Sequence, residues 1–261
     1  MEREASAERL KNVAEIHVFA IPGLPEITRD ADLGSLIVGA VRKTGRAVEA
    51  GDVFVVAQKI VSKAEGAIVR LDTVDASPVA GEWAAAYGKD PRLVEVVLRE
   101  SRRIVRMSHG VIIAETRHGF VCANAGVDTS NVPPGFATLL PRDPDASAAR
   151  LRDALVDELG FPVAVIVSDT FGRPWREGVV NVAIGVAGLR PLLDYRGCVD
   201  SFGTRLQSTV MAIADELAGA AELVMRKATG TPAAIVRGAA EWAGDGTAQV
   251  LVRDASRDLF R

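Results

Sequence analysis

Residues 163–178 read VAVIVSDTFGRPWREG, and this stretch decides the fold and points to the chemistry of the chain. The five consecutive apolar residues Val163 to Val167 predict a buried strand. Asp169 and Thr170 come almost directly after this run, so we expect them to emerge at the carboxyl end of the strand. Ligand-binding residues are common at that position.

The polar part of this stretch offers groups for both a cation and an anion. A carboxylate beside a hydroxyl, at Asp169 and Thr170, supplies oxygen ligands for Mg²⁺ or Mn²⁺, and Gly172 lets the backbone approach phosphate. Arg173 and Arg176 could hold an anionic substrate. An aspartate turn with solvated arginines explains the same residues, and both interpretations stay open at this point.

A second acid leaves a predicted strand in a similar way. Residues 124–131 read NAGVDTSN, in which Asp128 follows the apolar run Phe120 to Ala123. Two carboxylates at strand ends indicate a shared metal site, and a binuclear one would bridge nucleotide phosphates. Two unrelated turns, with Thr129 and Ser130 bonding to local backbone groups, are the alternative.

Two lysines follow the predicted strand Val53 to Ala57. Residues 56–66 read VAQKIVSKAEG and place Lys59, Lys63 and Glu65 just beyond it. A lysine there can act as a point charge on phosphate, although solvated lysines on a loop are the more common finding. The phosphate-binding pattern G-x-x-x-x-G-K-[ST] is absent from the sequence, so any nucleotide is held by another architecture.

The segment IPGLPEI, residues 21–27, predicts a stiff turn. Pro22 and Pro25 fix φ there, and Gly23 permits close approach of another group. The segment follows an apolar run that begins at Ile16 and predicts a strand. It can serve as a loop that contacts a base or ribose, or it can be purely structural.

Predicted strands and helices are mixed along the chain without strict alternation. Helices are indicated after Asp32, after Asp90, over 148–159 and over 213–224. Residues 111–123 predict a hairpin, and the prolines between 133 and 144 predict an irregular connection, a subdomain crossover near 132–146. We therefore predict an α+β fold with mixed, largely antiparallel sheets and packed helices, instead of a doubly wound parallel sheet.

The composition is that of a globular protein with a small-molecule partner. The 261 residues are 48% hydrophobic and carry a formal net charge of −3, with lysine and arginine scattered. This pattern excludes an electrostatic footprint for nucleic acid, and no apolar run reaches the roughly 20 residues that span a bilayer. Cys122 and Cys198 form no zinc or redox motif. We expect a cytoplasmic protein that binds neither nucleic acid nor membrane.

Seven segments in this order resemble the coenzyme F420-0:L-glutamate ligase family, also called γ-glutamyl ligase: IPGLPEI, VAQKIVSKAEG, NAGVDTSN, VSDTFGRPWREG, NVAIGVAG, ADELA and IVRG. The resemblance runs from about Ile16 to the end of the chain. It implies one ligase domain over residues 16–261, after a flexible N-terminus over residues 1–15. It also implies an unusual α+β ligase fold and a homodimer.

The resemblance further implies a GTP-dependent amide ligation in the biosynthesis of coenzyme F420. The terminal carboxylate of coenzyme F420-0 is phosphorylated to an acyl phosphate, and the amine of L-glutamate displaces the phosphate. Later glutamates are added through γ-carboxylates. The implied cofactors are two divalent ions, Mg²⁺ or Mn²⁺, and a role for K⁺ stays open.

Carried over by position, the resemblance also assigns the site. The residues implied to contact GTP are Leu24, Pro25, Glu26, Ile27, Lys63 and Asn131. The residues implied to hold divalent metal are Asp128, Asp169 and Thr170. Asp128, Asp169 and Lys63 are then expected to carry catalysis.

The chain departs from the family pattern at three positions. Gln58 replaces a small hydroxyl residue, Met211 offers no acid where some members have a further metal ligand, and Arg226 replaces a glycine. These departures bear on the second metal and on the number of glutamates added. Two other functions stay open: a metal-dependent ligase or phosphotransferase for a related acidic substrate, and a non-catalytic deazaflavin-binding protein.

Overall fold

The structure is a computed structural model that describes residues 15–258. Five strands form its central sheet, in the spatial order β1 (His17–Ala20), β12 (Ala233–Arg237), β2 (Val53–Ala57), β8 (Ala164–Arg173) and β9 (Arg176–Ala187). Strands β2 and β8 run parallel, and the other neighbouring pairs are antiparallel. This mixed sheet confirms the predicted α+β class.

Six α-helices accompany the strands within residues 15–258. They are α1 (Leu33–Lys43), α2 (Gln58–Ala64), α3 (Pro78–Tyr87), α4 (Pro91–Glu100), α5 (Pro144–Leu159) and α6 (Ile213–Met225). The side chains of Asp32, Asp90 and Asp143 accept hydrogen bonds from backbone N–H groups in the first turns of α1, α4 and α5. These caps satisfy donors that a helix leaves unpaired, and so they fix where each helix begins.

The central sheet buries apolar side chains on both faces. In β2, successive apolar side chains point to opposite faces of the sheet. Phe54 and Val56 face one core together with α1, α2 and α5, while Val53 and Val55 face a second core against α6. This pattern is expected for a strand with neighbours on both sides and helices on both faces. Asp52, which precedes β2, is buried and pairs with Arg237 at 2.8 and 2.9 Å.

The residues between β2 and α5 build smaller sheets around a third core. Its strands are β3 (Ile68–Arg70), β4 (Ser101–Ser108), β5 (Val111–Thr116), β6 (Val121–Ala123) and β7 (Phe136–Thr138). Strands β4, β5 and β6 form an antiparallel sheet, and β3 pairs with β7. The predicted hairpin over residues 111–123 is confirmed as β5 and β6. A further short pair, β10 (Leu193–Asp194) and β11 (Val210–Met211), precedes α6.

Three expectations from the sequence need correction. The connection over 132–146 is not wholly irregular, because β7 lies in it and Pro144 is the first residue of α5. Lys59 and Lys63 lie on α2 instead of a loop. Strand β8 continues past Val167 to Arg173, because β9 pairs with it after β2 has ended. The division into two subdomains stays a prediction.

Within residues 15–258, no helix is long and apolar enough to cross a membrane. The flexible N-terminus predicted over residues 1–15 lies outside the described residues, apart from Glu15. Helix α1 begins well after that segment and packs on the first core.

Two glycines provide a matched test of this packing. A Cβ added to Gly185 in β9 would lie 2.1 Å from the carbonyl oxygen of Pro144, which is backbone and cannot move away freely. We expect Gly185→Ala to lower the free energy of unfolding by about 3 kcal/mol, the upper range for overpacking. Denaturant-induced unfolding, followed by circular dichroism, measures the change.

Gly39→Ala is the control for that substitution. Gly39 lies inside α1, and a Cβ there meets no atom within 4 Å. Alanine is a better helix former than glycine, so this variant should be more stable by about 0.5–1 kcal/mol. Equal effects of the two substitutions would contradict the close approach of β9 to the start of α5.

Candidate active site

A concave site lies where β2 and β8 end and α2 begins. It is a cavity of about 380 Å³, within the range of ligand pockets in proteins. All nine site residues expected from the sequence line it: Leu24, Pro25, Glu26, Ile27, Lys63, Asp128, Asn131, Asp169 and Thr170. They come from four separate segments of the chain. The fold therefore brings together the residues that the sequence left apart.

Asp128 is fixed in the cavity wall by the backbone. Its N–H donates to the carbonyl of Thr138, and the Thr138 N–H donates back, so Asp128 is bridged to the end of β7. The turn before it contains Asn124, Ala125 and Gly126, all at positive φ. Three successive residues in this region bend the chain sharply after β6. The bend is what directs Asp128 toward the cavity instead of continuing the strand.

The carboxylate of Asp128 is surrounded by donors. Its Oδ1 accepts the Ser130 N–H at 2.7 Å, and its Oδ2 accepts from Lys59 Nζ at 2.8 Å and from Ser130 Oγ at 3.0 Å. Burial raises the pKa of Asp128, but the hydrogen bonds from Lys59 and Ser130 and the charge of Lys59 outweigh it, so the pKa lies below its usual value. Asp128 is therefore an ionised carboxylate at neutral pH.

Asp169 lies at the step where β8 loses one of its two neighbours. The parallel pairing of β2 with β8 ends at the Ala57 and Ser168 pair, and Asp169 is the next residue, still paired with Val182 of β9. Its Oδ1 accepts the Thr170 N–H at 2.8 Å. Burial raises the pKa of Asp169 from 3.8 to about 6, although the Thr170 N–H and the charge of Lys227 act in the opposite direction.

Thr170 belongs to a chain of hydrogen bonds that crosses from the hairpin to α6. Its hydroxyl donates to Asn181 Oδ1 at 2.7 Å and accepts from Lys227 Nζ at 2.5 Å. The Asn181 amide donates to Glu222 Oε2 at 3.0 Å. Asn181, Glu222 and Lys227 were not predicted from the sequence as site residues. The polar positions at the end of an otherwise apolar helical segment were the only available signal.

Lys63 lines the same cavity as the two acids. Its side chain is only 7% exposed, and its ammonium donates to Glu26, whose side chain is 77% exposed. A buried ammonium needs such a partner, because burial of an unpaired charge is costly. The backbone beside Glu26 is anchored by Ile27, which is buried in the first core. The loop over residues 21–27 is therefore anchored on one side and open to the cavity on the other.

The departures from the family pattern fall in different places. Gln58 lines the cavity and accepts a hydrogen bond from Ser62 Oγ at 2.8 Å. Arg226 also lines it and has φ of +54°, a conformation in which glycine is favoured and other residues are strained. Met211 lies in β11 and is not among the lining residues.

Other candidates do not belong to the cavity as the structure describes it. Arg173 and Arg176 lie at the far end of the β8–β9 hairpin, where Arg173 donates to the carbonyl of Glu177. Burial, together with the charge of Asp169, raises the pKa of the Cys122 thiol to about 12. Such a thiol stays protonated at neutral pH and is a poor nucleophile. The described residues that line the cavity therefore include no activated cysteine.

The donor set of the cavity suits a hard divalent ion. Asp128 and Asp169 both supply carboxylate oxygens, and the charge of Asp128 contributes to the raised pKa of Asp169. Mg²⁺ in phosphate-binding sites commonly takes one or two carboxylates, with waters and substrate oxygens completing its shell. Among residues 15–258 there is no group of three or more histidine, cysteine, aspartate or glutamate side chains that could hold a metal.

Comparison with known proteins identifies the family of this chain. The family described as F420-0:Gamma-glutamyl ligase matches residues 23–238. The Coenzyme F420:L-glutamate ligase of Methanothermobacter thermautotrophicus is 48% identical over 250 residues, which are 94% of this chain and 99% of that protein. The protein of that name from Methanopyrus kandleri is 50% identical, with 94% and 98% covered. The one from Archaeoglobus fulgidus is 40% identical, with 94% and 96% covered.

The raised pKa of Asp169 predicts a pH-dependent cost of folding in metal-free protein. The folded state binds this proton more tightly than the unfolded chain, so stability falls as pH rises from about 4 to about 6. Asparagine cannot ionise and keeps an oxygen for the Thr170 N–H. We expect Asp169→Asn to be more stable than the wild type by about 2–3 kcal/mol above pH 6.5, and equal to it near pH 4. Urea unfolding in EDTA measures the difference.

Asp128→Asn should show the opposite sign. The lowered pKa of Asp128 contributes stability above the usual carboxyl pKa, and this contribution is lost as pH falls through the lower folded value. The variant should therefore be less stable than the wild type at pH 7, with the gap closing in acid. If both variants gained stability at pH 7, the assigned partnership of Lys59 with Asp128 would be wrong.

Proposed function

The chain belongs to the F420-0:gamma-glutamyl ligase family, and from this premise we propose that it joins L-glutamate to coenzyme F420-0 in a GTP-dependent reaction. Three relatives that cover nearly all of the chain are named Coenzyme F420:L-glutamate ligase. The product is an amide between the terminal carboxyl of the coenzyme and the amine of glutamate, and the chain acts in coenzyme F420 biosynthesis. We further propose that additional glutamates follow through γ-linkages.

One observation carries this proposal more than any other. The residues expected to bind GTP and metal come from four segments of the chain, and all of them line the same cavity. Lys63 and Glu26 line it together with Asp128 and Asp169. This arrangement places ammonium groups and carboxylates around one space, which is what transfer of phosphoryl between two anions requires.

The first chemical step makes the coenzyme carboxylate reactive. A carboxylate oxygen of coenzyme F420-0 forms a bond to the γ-phosphorus of GTP, while the bond to the β,γ-bridging oxygen breaks and GDP leaves with the electron pair. Lys63 and Lys59 are positioned to balance the negative charge of the phosphates and of the incoming carboxylate. The stiff loop over residues 21–27 would hold the nucleotide beside them.

The second step forms the amide. The amine nitrogen of L-glutamate attacks the acyl carbon, phosphate leaves with the bonding electrons, and the nitrogen loses a proton. The acyl phosphate is itself the activated donor, so no protein nucleophile is required, in agreement with the inert Cys122. The residues of the cavity need only hold the reactants in line and exclude competing water.

Asp128 and Asp169 would hold the divalent ion, Mg²⁺ or Mn²⁺, with Thr170 beside them. When bound, such an ion neutralises phosphate charge and stabilises the charge that develops on the leaving oxygen. Asp128 is ionised through its partnership with Lys59, so its oxygens are ready to bind a cation. The homodimer and the role of K⁺ remain predictions.

Mass spectrometry of the reaction products tests this function. Purified protein, coenzyme F420-0, L-glutamate, GTP and Mn²⁺ should give products that are heavier by whole glutamate residues. Omission of GTP should abolish them. Asp169→Ala removes a carboxylate from the cavity and should lower the rate at least about 100-fold, in line with loss of a group that stabilises transition-state charge.

Asp157→Ala is the matched control, because Asp157 is an exposed acid on α5 and does not line the cavity. It should retain full activity. Tight coenzyme binding without glutamate addition would favour a deazaflavin-binding protein instead. Equal activity with another nucleotide or another amino acid would favour a ligase for a related acidic substrate.

A further inference from the structure

We infer that Lys227 takes the place of a second metal ion, so that each chain binds one divalent ion in its active site. The inference rests on the proposed function and narrows its metal requirement. It concerns the end of α6, where Lys227 follows the strained residue Arg226 and lines the cavity. The family resemblance led to the expectation of two ions.

The Thr170 hydroxyl both donates and accepts a hydrogen bond. Its single hydroxyl proton is used by Asn181, at 2.7 Å, and its oxygen accepts from the Lys227 ammonium at 2.5 Å. Asn181 is oriented for this by its own bond to Glu222 at 3.0 Å. The Thr170 hydroxyl was expected to bind a metal, but its oxygen already accepts a hydrogen bond from the positively charged ammonium of Lys227.

A second divalent ion at the same oxygen would be placed next to this ammonium. Mg²⁺ binds oxygen at about 2.0–2.1 Å, and two cations that share one neutral oxygen repel each other strongly in a partly buried site. Thr170 brings no negative charge that could offset the repulsion. The ammonium and a second ion are therefore alternatives at this position.

Asp128 differs from Thr170 in this respect. It is a carboxylate with about four acceptor positions, so it can bind a metal while it keeps its bond to Lys59. Lys59 is also held in place by two bonds to Ser130, at 2.6 and 3.0 Å. The first ion, between Asp128 and Asp169, is thus compatible with the lysine beside it.

The charge of the cavity lining supports the same count. The charged residues that line it are four acids and four bases: Glu26, Asp128, Asp169, Glu222, Lys59, Lys63, Arg226 and Lys227. Their formal charges cancel. One divalent ion therefore gives the lining a net positive charge, which favours binding of a nucleoside triphosphate and a carboxylate.

Counting bound Mn²⁺ tests the inference. Protein saturated with a non-hydrolysable GTP analogue is titrated with Mn²⁺, and free Mn²⁺ is measured by electron paramagnetic resonance. The wild type should bind one ion per chain with high affinity. Lys227→Glu replaces the ammonium by a carboxylate beside Thr170 and should raise the number to two.

Arg226→Glu is the matched control, since it makes the same charge change at the adjacent residue, which has no bond to Thr170. It should still bind one ion. Two ions in the wild type, one ion in Lys227→Glu, or two in Arg226→Glu would each overturn the inference. Thermal unfolding checks that the variants fold, and anomalous scattering from Mn²⁺-soaked crystals locates the ions independently.

The ligase assay on the same preparations separates this inference from the proposed function. An active wild type with two Mn²⁺ per chain would refute the single-ion site and leave the ligase intact. A wild type that binds one Mn²⁺ with the GTP analogue but adds no glutamate would refute the ligase and leave the metal count intact.

Discussion

The parallel pairing of β2 with β8 is the constraint on which the rest of the structure depends. It pairs Val53 with Ala164 at one end and Ala57 with Ser168 at the other. The carboxyl ends of the paired segments therefore lie side by side. Helix α2 begins at the next residue of one strand, and Asp169 follows on the other. The lysines of α2 and the carboxylate of β8 therefore face one space without any long loop. Ligand sites commonly form at such strand ends.

This constraint also explains which parts could be predicted from the sequence. The apolar runs of β2 and β8, the capped helix α1 and the mixed element order are local signals, and they suffice for the α+β class. The continuation of β8 to Arg173 is not local, because its polar residues are held in the strand by β9. Helix α2 was missed for a related reason: it is short, lacks a side-chain cap at Ala57, and is stabilised by burial of Ile60 and Val61.

Some residues of the site could likewise be predicted from local sequence, and others could not. Asp128, Asp169 and Lys63 could be selected because each follows an apolar strand, whereas the end of α6 gave no such signal. Lys227 reaches Thr170 across 57 positions of sequence, and only tertiary packing of α6 on β9 makes that contact possible. The family resemblance pointed to nine residues that line the cavity. It assigned no role to Asn181, Glu222 or Lys227, which complete the hydrogen-bond chain behind Thr170.

The two lysines of α2 differ in how freely a ligand can engage them. Lys59 is tied by three bonds to Asp128 and Ser130, one of them to a backbone carbonyl, so it remains part of the wall. Lys63 has its ion pair with Glu26, whose side chain is largely exposed and can turn into water at little cost. A phosphate group can therefore replace Glu26 as the partner of a buried ammonium. The charges of the residues that line the cavity cancel, so the cavity has no general positive field that would attract an anionic ligand. Replacement of Glu26 by phosphate at Lys63 would instead favour binding of the anion.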